Sequence, residues 1–253
     1  AVGDITPPPG LIEEIHKRTE GNPFFIGEVT RDLAQEAASR GGSLDDVSFR
    51  IPEGVREAIG VRLNHLSEES NVVLRSAAVI GRVFDFDLLA AVNEELSDDA
   101  MLDLIEEAIA TGAVREAQGP KDRYEFTHAL IQQTLAEELT TGRRARLQAR
   151  IVNAIEELYA NDLSEHVAEL AHHCSEAEAV VGEEKVALYA RLAGEKAAVS
   201  YAWIEARSYF EQAHDSLAES APGAERATVL AGLGRAELLS LTYPDIQRGW
   251  DKT

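Results

Sequence analysis

Apolar residues recur three and four positions apart along most of this chain, the spacing that gathers them on one face of an α-helix. Leu11, Ile12 and Ile15 form the first such stripe, and Gly21 suits the left-handed conformation that ends a helix. Asn22 is a candidate cap for the next helix. Pro23 sits in its first turn, where a missing N–H is harmless, and Phe25, Ile26, Val29 and Leu33 make its apolar face. Residues 39–50 (SRGGSLDDVSFR) read as a loop, and Pro52 then opens a helix carrying Val55, Ile59, Leu63 and Leu66. Ser67 is the candidate cap of a helix that is apolar at Val72, Val73, Leu74, Ala77 and Ile80 and stops at Gly81. Ser70 stands where a capping box needs Glu or Gln, so that start signal is incomplete.

The pattern then becomes mixed. Val83–Asp85 predicts a short strand, FDLLAAVN a helix, and Ser97 caps a further helix ending at Gly112. Ala113–Ala117 and Arg123–Thr127 flank a Gly-Pro turn, which predicts a two-stranded hairpin. Three helices followed by a hairpin is the order of a winged helix. His128 begins another helix, HALIQQTLAEEL. From Arg143 onward the chain is helical almost throughout: Arg143–Tyr159, Leu163–Cys174, and beyond Gly182 three alanine-spaced helices. Pro7, Pro8 and Pro9 exclude a helix at the start and predict an extended leader.

Gly194 followed by Ala206, Phe210 and Ala213 satisfies the small and small–aromatic–small offsets of a 34-residue tetratricopeptide repeat. Small residues let two helices approach, and the aromatic ring fills the groove between repeats. A second copy starts at Leu233–Gly234, but Pro244 falls where its second helix should begin. An ordinary helical hairpin is the alternative reading.

Composition narrows the function. The 253 residues hold 45 Asp and Glu against 24 Lys and Arg, a net charge of −21, which disfavours broad binding to a phosphate backbone. Over 67–141 there are 16 acidic residues against 5 basic, so direct DNA contact by the winged helix is not expected. The basic cluster Arg143, Arg144, Arg146 and Arg150 reads as a solvated or salt-bridged face. Cys174, the single cysteine, excludes an internal disulfide. No apolar run approaches the roughly 18 residues of a membrane span, and the leader lacks a signal peptide's basic and apolar regions, so a cytoplasmic protein is expected. The absence of an initiator Met and the ending on GWDKT predict a segment of a longer chain.

Candidate chemistry is sparse. There is no G-x-x-x-x-G-K-[ST] phosphate loop, G-x-S-x-G elbow or H-E-x-x-H motif, so no catalytic residue is expected. His166, Glu169 and His173 fall on one helical face and together make a zinc-type ligand set, but no fourth group is in view, so no metal site is expected. His172 and Cys174 read as buried packing residues.

TEGNPFFIGEV (19–29) resembles the lid of the STAND-class signalling ATPases, where a helix ends at a Gly-x-Pro turn beside the nucleotide. The stretch 51–92 resembles the end of that lid entering a winged helix. RYEFTHALIQQTL (123–135) resembles the winged helix's last strand and following helix. ELAHHCSEA (169–177) and the Gly194 hairpin resemble the helical arm and tetratricopeptide array of the same proteins. The similarity spans nearly the whole chain and is best to bacterial multidomain regulators, some with a LuxR-type helix-turn-helix and others with a class III cyclase domain.

The resemblance implies a mainly α protein: lid helices over 1–66, a winged helix with a small β-hairpin over 67–141, a helical arm over 142–182, and a tetratricopeptide-like superhelix from 183 to 253. It implies that Pro23 packs on adenine, that Gly21 and Asn22 shape the turn, and that His128 contacts the β-phosphate of ADP. The same residues also read simply as a helix-start proline and a capping or packing histidine. The family's phosphate loop, magnesium-binding strand and sensor arginine would precede Ala1, so hydrolysis and tight binding of ATP or ADP are not expected of these residues alone. Implied partners are that P-loop domain and a protein or small-molecule effector on the repeat arm. A standalone helical-repeat scaffold without nucleotide is the alternative.

Overall fold

The computed structural model describes residues 11–19, 21–39, 51–119, 121–217 and 222–240. The proline leader, most of the expected loop at 39–50, and Pro244 lie outside the described residues. Among the described residues the chain is mainly helical, with one small three-stranded sheet. Its contacts divide it into two compact units, Ala1–Thr140 and Thr141–Thr253.

The first unit contains α1 (Leu11–Thr19), α2 (Pro23–Ser39), α3 (Glu53–Leu63), α4 (Glu68–Ile80), β1 (Val83–Asp85), α5 (Phe86–Val92), α6 (Asp98–Ala110), β2 (Val114–Glu116), β3 (Arg123–Phe126) and α7 (Ala129–Glu137). β3 is the central strand, antiparallel to β1 on one side and β2 on the other, with Phe84 opposite Tyr124 and Val114 opposite Phe126. The alternation of β3 turns Tyr124 and Phe126 to the core, while Arg123 and Glu125 pair with Asp85 (2.9 Å) and Arg115 (2.6 Å) on the neighbouring strands. Phe84, Phe126, Leu74, Leu89, Met101, Ile105, Leu130 and Ile131 are fully buried, so α4–α7 and the sheet supply most of this core.

The incomplete start signal at Ser67 is completed from elsewhere in the chain. Ser67 Oγ accepts from the Ser70 N–H (3.1 Å), as an N-cap should. Glu107 on α6 then accepts from both the Ser67 N–H and the Ser67 hydroxyl at 2.7 Å, and from the Ser70 hydroxyl. A carboxylate forty positions away does what a local Glu does in a capping box. These bonds, the Ser70 hydroxyl's foremost, hold the Glu107 carboxyl below the usual carboxylate range.

The second unit contains α8 (Thr141–Leu158), α9 (Val167–Glu176), α10 (Glu178–Val181), α11 (Glu183–Val199), α12 (Trp203–Asp215) and α13 (Gly223–Ser240). Helices adjacent in order pack on one another: α8 on α9, α11 on α12, and α12 on α13, with α9 also against α11. Ala190 and Ala213 pack with Val229, and Ala206 and Ala236 with Phe210, all of them buried. Phe210 is the large side chain in this alanine seam. A methyl added to Gly194 would stand 3.1 Å from its ring, and one added to Gly232 would stand 2.5 Å from it.

Two sequence expectations change, and the structure adds a detail of α13. α9 starts at Val167 rather than Leu163, so His166 is its N-terminal flanking residue and not part of its face. His172 is exposed; the buried neighbour is His173, which the helical phase turns inward beside Cys174. The glycine of α13 that meets Phe210 is Gly232, whereas Gly234 is exposed with open space around it. No described helix is long and apolar enough to cross a membrane.

Candidate functional site

The turn between α1 and α2 and the junction between β3 and α7 meet in the first unit. α1 ends on Thr19, whose carbonyl accepts from the Asn22 N–H (2.9 Å) after Gly21 reverses the chain at φ +76°. A side chain at Gly21 would be strained there even though its nearest neighbour, His16 Nε2, would stand at an ordinary 3.8 Å from the added Cβ. Asn22 Oδ1 accepts from the Phe24 N–H (3.0 Å) and, more weakly, from the Phe25 N–H (3.4 Å), and its carbonyl accepts from the Ile26 N–H (2.9 Å). Pro23 occupies the first helical position, as its sequence context predicts.

Donors that an anion would seek at this helix start are thus already held by Asn22. The turn instead presents apolar surface, because Pro23 is exposed and Phe24 is 49% exposed. Asn22, Phe24 and Phe25, with Ala58 and Ile59 of α3, line a hollow of about 230 Å3.

His128 lies at the other end of the constellation. Its extended backbone (φ −139°, ψ 137°) closes β3, and its carbonyl accepts from the Ile131 N–H (3.0 Å) to start α7. Its half-buried ring meets the ring of buried Phe25 edge to face, with centroids 5.5 Å apart and planes at 89°. The structure therefore brings His128 to the helix that the Gly21–Asn22–Pro23 turn begins, 103 positions earlier for Phe25. Phe24 and Ala58 were not singled out by sequence reasoning, and Ile59 only as part of the apolar face of α3. The signal that bears on the first is the pair Phe24–Phe25: adjacent helical positions lie about 100° apart, so one ring faces the core and the other leaves it.

The histidines of the second unit do not converge on a ligand. His166 Nδ1 is 3.2 Å from Glu169 Oε2, and its ring stacks on Tyr159 with centroids 3.6 Å apart. His173 is buried with Nδ1 bonded to Gln148 Oε1, and its Nε2 is 4.0 Å from Glu169 Oε1. Burial pushes His173 down to about 4 and the Cys174 thiol up to about 12, so both are uncharged packing groups at neutral pH. Among the described residues no group of three His, Cys, Asp or Glu side chains is placed to hold a metal ion. In the basic cluster, Arg144 lies 3.6 Å from Glu176, while Arg143, Arg146 and Arg150 are exposed.

No family model matches the chain, and no solved structure matches it. It is similar to an uncharacterized protein of Rhizobium meliloti (strain 1021), with 27% identity over 209 residues. That alignment takes in 82% of this chain and 20% of the relative, so the chain spans about a fifth of the length of the curated protein it matches.

Proposed function

We propose that this chain is the lid, winged-helix and sensor-arm region of a STAND-type signalling ATPase, and that it transmits the nucleotide state of a P-loop domain elsewhere in a longer protein. The observation that carries the reading is the Phe25–His128 ring contact. Two segments recognised separately in the sequence, the Gly-Asn-Pro turn and the Thr-His helix start, meet on one side of the first unit. Exposed Pro23 and Phe24 offer a planar base an apolar surface, and His128 supplies ring nitrogens close by.

Element order adds support. α4, β1, α5, α6, β2 and β3, with β1 hydrogen-bonded to β3, follow one another as in a winged helix. The three-residue connection from α11 to α12 and the seating of Phe210 between two glycines suit a tetratricopeptide-like stack. In this reading the chain itself catalyses nothing. ATP or ADP with magnesium is held mainly by the P-loop domain, and an effector acts on the arm.

The test uses the longer protein. His128→Phe keeps a ring against Phe25 and removes both ring nitrogens. It is expected to speed ADP release about tenfold, the worth of one hydrogen bond to a charged group, and to raise basal activity. An unchanged ADP off-rate takes His128 out of the site. A longer protein that binds no nucleotide overturns the reading and leaves a helical-repeat scaffold.

A further inference from the structure

The second unit contains a cavity of about 580 Å3 where α11, α12 and α13 come together, within the size range of small-molecule sites. Its floor is apolar: the Phe210 ring, Ala231 and Gly232. Trp203 and Tyr201 form one wall, their rings edge to face with centroids 6.0 Å apart. The Arg235 guanidinium lies over the Trp203 ring, 5.3 Å from its centroid. Among the described residues the one carboxylate on the lining, Glu195, is ion-paired with Arg191 at 2.6 Å.

Tyr201 is an unexpected residue at its position. The Tyr201 and Ala202 N–H groups bond back to Ala198 and Ala197, which ends α11 with Tyr201 in the left-handed conformation at φ +60°. Glycine is favoured at such a helix end, and a side chain there costs about 1 kcal/mol. Tyr201 is nonetheless 79% exposed, so burial offsets little of that cost. What the conformation achieves is to hold an aromatic ring at the cavity rim, beside Trp203.

We propose that this cavity binds a small organic anion with a flat apolar body, such as an aromatic carboxylate. Its body lies on Phe210 and against the wall that the Tyr201 and Trp203 rings form, and its carboxylate pairs with Arg235. A cationic ligand is disfavoured because the Trp203 face already holds a cation. The net charge of −21 opposes any anion, but charges beyond about 8 Å are screened at physiological ionic strength, so the adjacent guanidinium dominates. The proposal names a ligand class for the sensor arm and rests on that reading for its signalling role, though not for binding itself.

The experiment is calorimetric titration of the chain, without nucleotide, with 2-naphthoate, uncharged 2-naphthamide and the 2-naphthyltrimethylammonium cation. Saturable one-to-one binding of 2-naphthoate below about 1 mM is expected, with the amide and the cation each at least about tenfold weaker. Arg235→Gln is expected to lose about tenfold in affinity. Tyr201→Gly should bind severalfold more weakly while its urea midpoint holds or rises, an outcome a purely structural tyrosine does not produce. No saturable binding, equal affinity for the amide, tighter binding of the cation, or full affinity in Arg235→Gln overturns the proposal. Binding of 2-naphthoate by a protein whose longer form holds no ADP leaves the pocket standing and removes only the nucleotide switch.

Discussion

His173 shows how one buried side chain sets a pH response. In the folded chain burial lowers its pKa to about 4, with exposed His172 adding a smaller repulsion, whereas in the unfolded chain it titrates near the usual 6.5. Between those values the unfolded state holds the extra proton, so stability is complete above pH 6.5 and falls as the pH drops towards 4. The full effect is about 3 kcal/mol at most. His173→Gln can still bond Gln148 but does not titrate. Its urea midpoint should therefore stay flatter than the wild type's across this window, and equal slopes in the two proteins would show that another group controls it. His172 and His173 are adjacent and chemically identical in the sequence. Only the packing of α9 on α8, which meets Gln148, decides which of them loses its water.

At the scale of elements, the α11–α12–α13 seam depends on close approach around Phe210. Alanine favours a helix over glycine by about 1 kcal/mol, so Gly→Ala is stabilising wherever space allows. At Gly234 the space is open, and Gly234→Ala should raise the urea midpoint. At Gly232 the new methyl would stand 2.5 Å from the Phe210 ring, and overpacking of that kind costs about 1–3 kcal/mol, which outweighs the helical gain. Gly232→Ala should lower the midpoint, with Gly194→Ala between the two because its 3.1 Å contact yields to a small shift. A reversed order for the α13 pair would place Phe210 against Gly234. The sequence starts its second repeat copy at Leu233–Gly234, but a match of residue classes at an offset survives a two-residue slip, so it does not say which glycine of α13 meets Phe210. On a helix that slip is about 200° of rotation, which sends one glycine to the seam and the other to water.

For the whole molecule, charge is the dominant property. Forty-five acidic residues against 24 basic leave 21 negative charges uncompensated, and the compact state holds them closer together than the unfolded chain does. Added salt weakens local pairs such as Arg56–Glu137 (2.5 Å, both side chains about one-third exposed) but also screens the net repulsion. Exposed pairs are worth well under about 1 kcal/mol each, so repulsion should win. The melting temperature is expected to rise from about 0.01 M to about 0.5 M NaCl; a fall would mean the ion pairs matter more than the excess charge.

The helix starts at Asn22, Ser67 and Ser97, the reversal at Gly21, the strand and hairpin around Phe84 and Phe126, and the helical character after Thr141 were all legible in the sequence. Each depends on residues within about one turn, where backbone sterics and capping bonds act. Tertiary structure alone decided the rest: Glu107 as the second cap of α4, Phe25 as the neighbour of His128, His173 as the buried imidazole, Gly232 as the seat of Phe210, and Arg235 over Trp203. Each joins elements separated along the chain. A one-dimensional pattern records which face of a helix is apolar, but its partner is chosen by packing, once chain entropy has been given up to bring distant segments together.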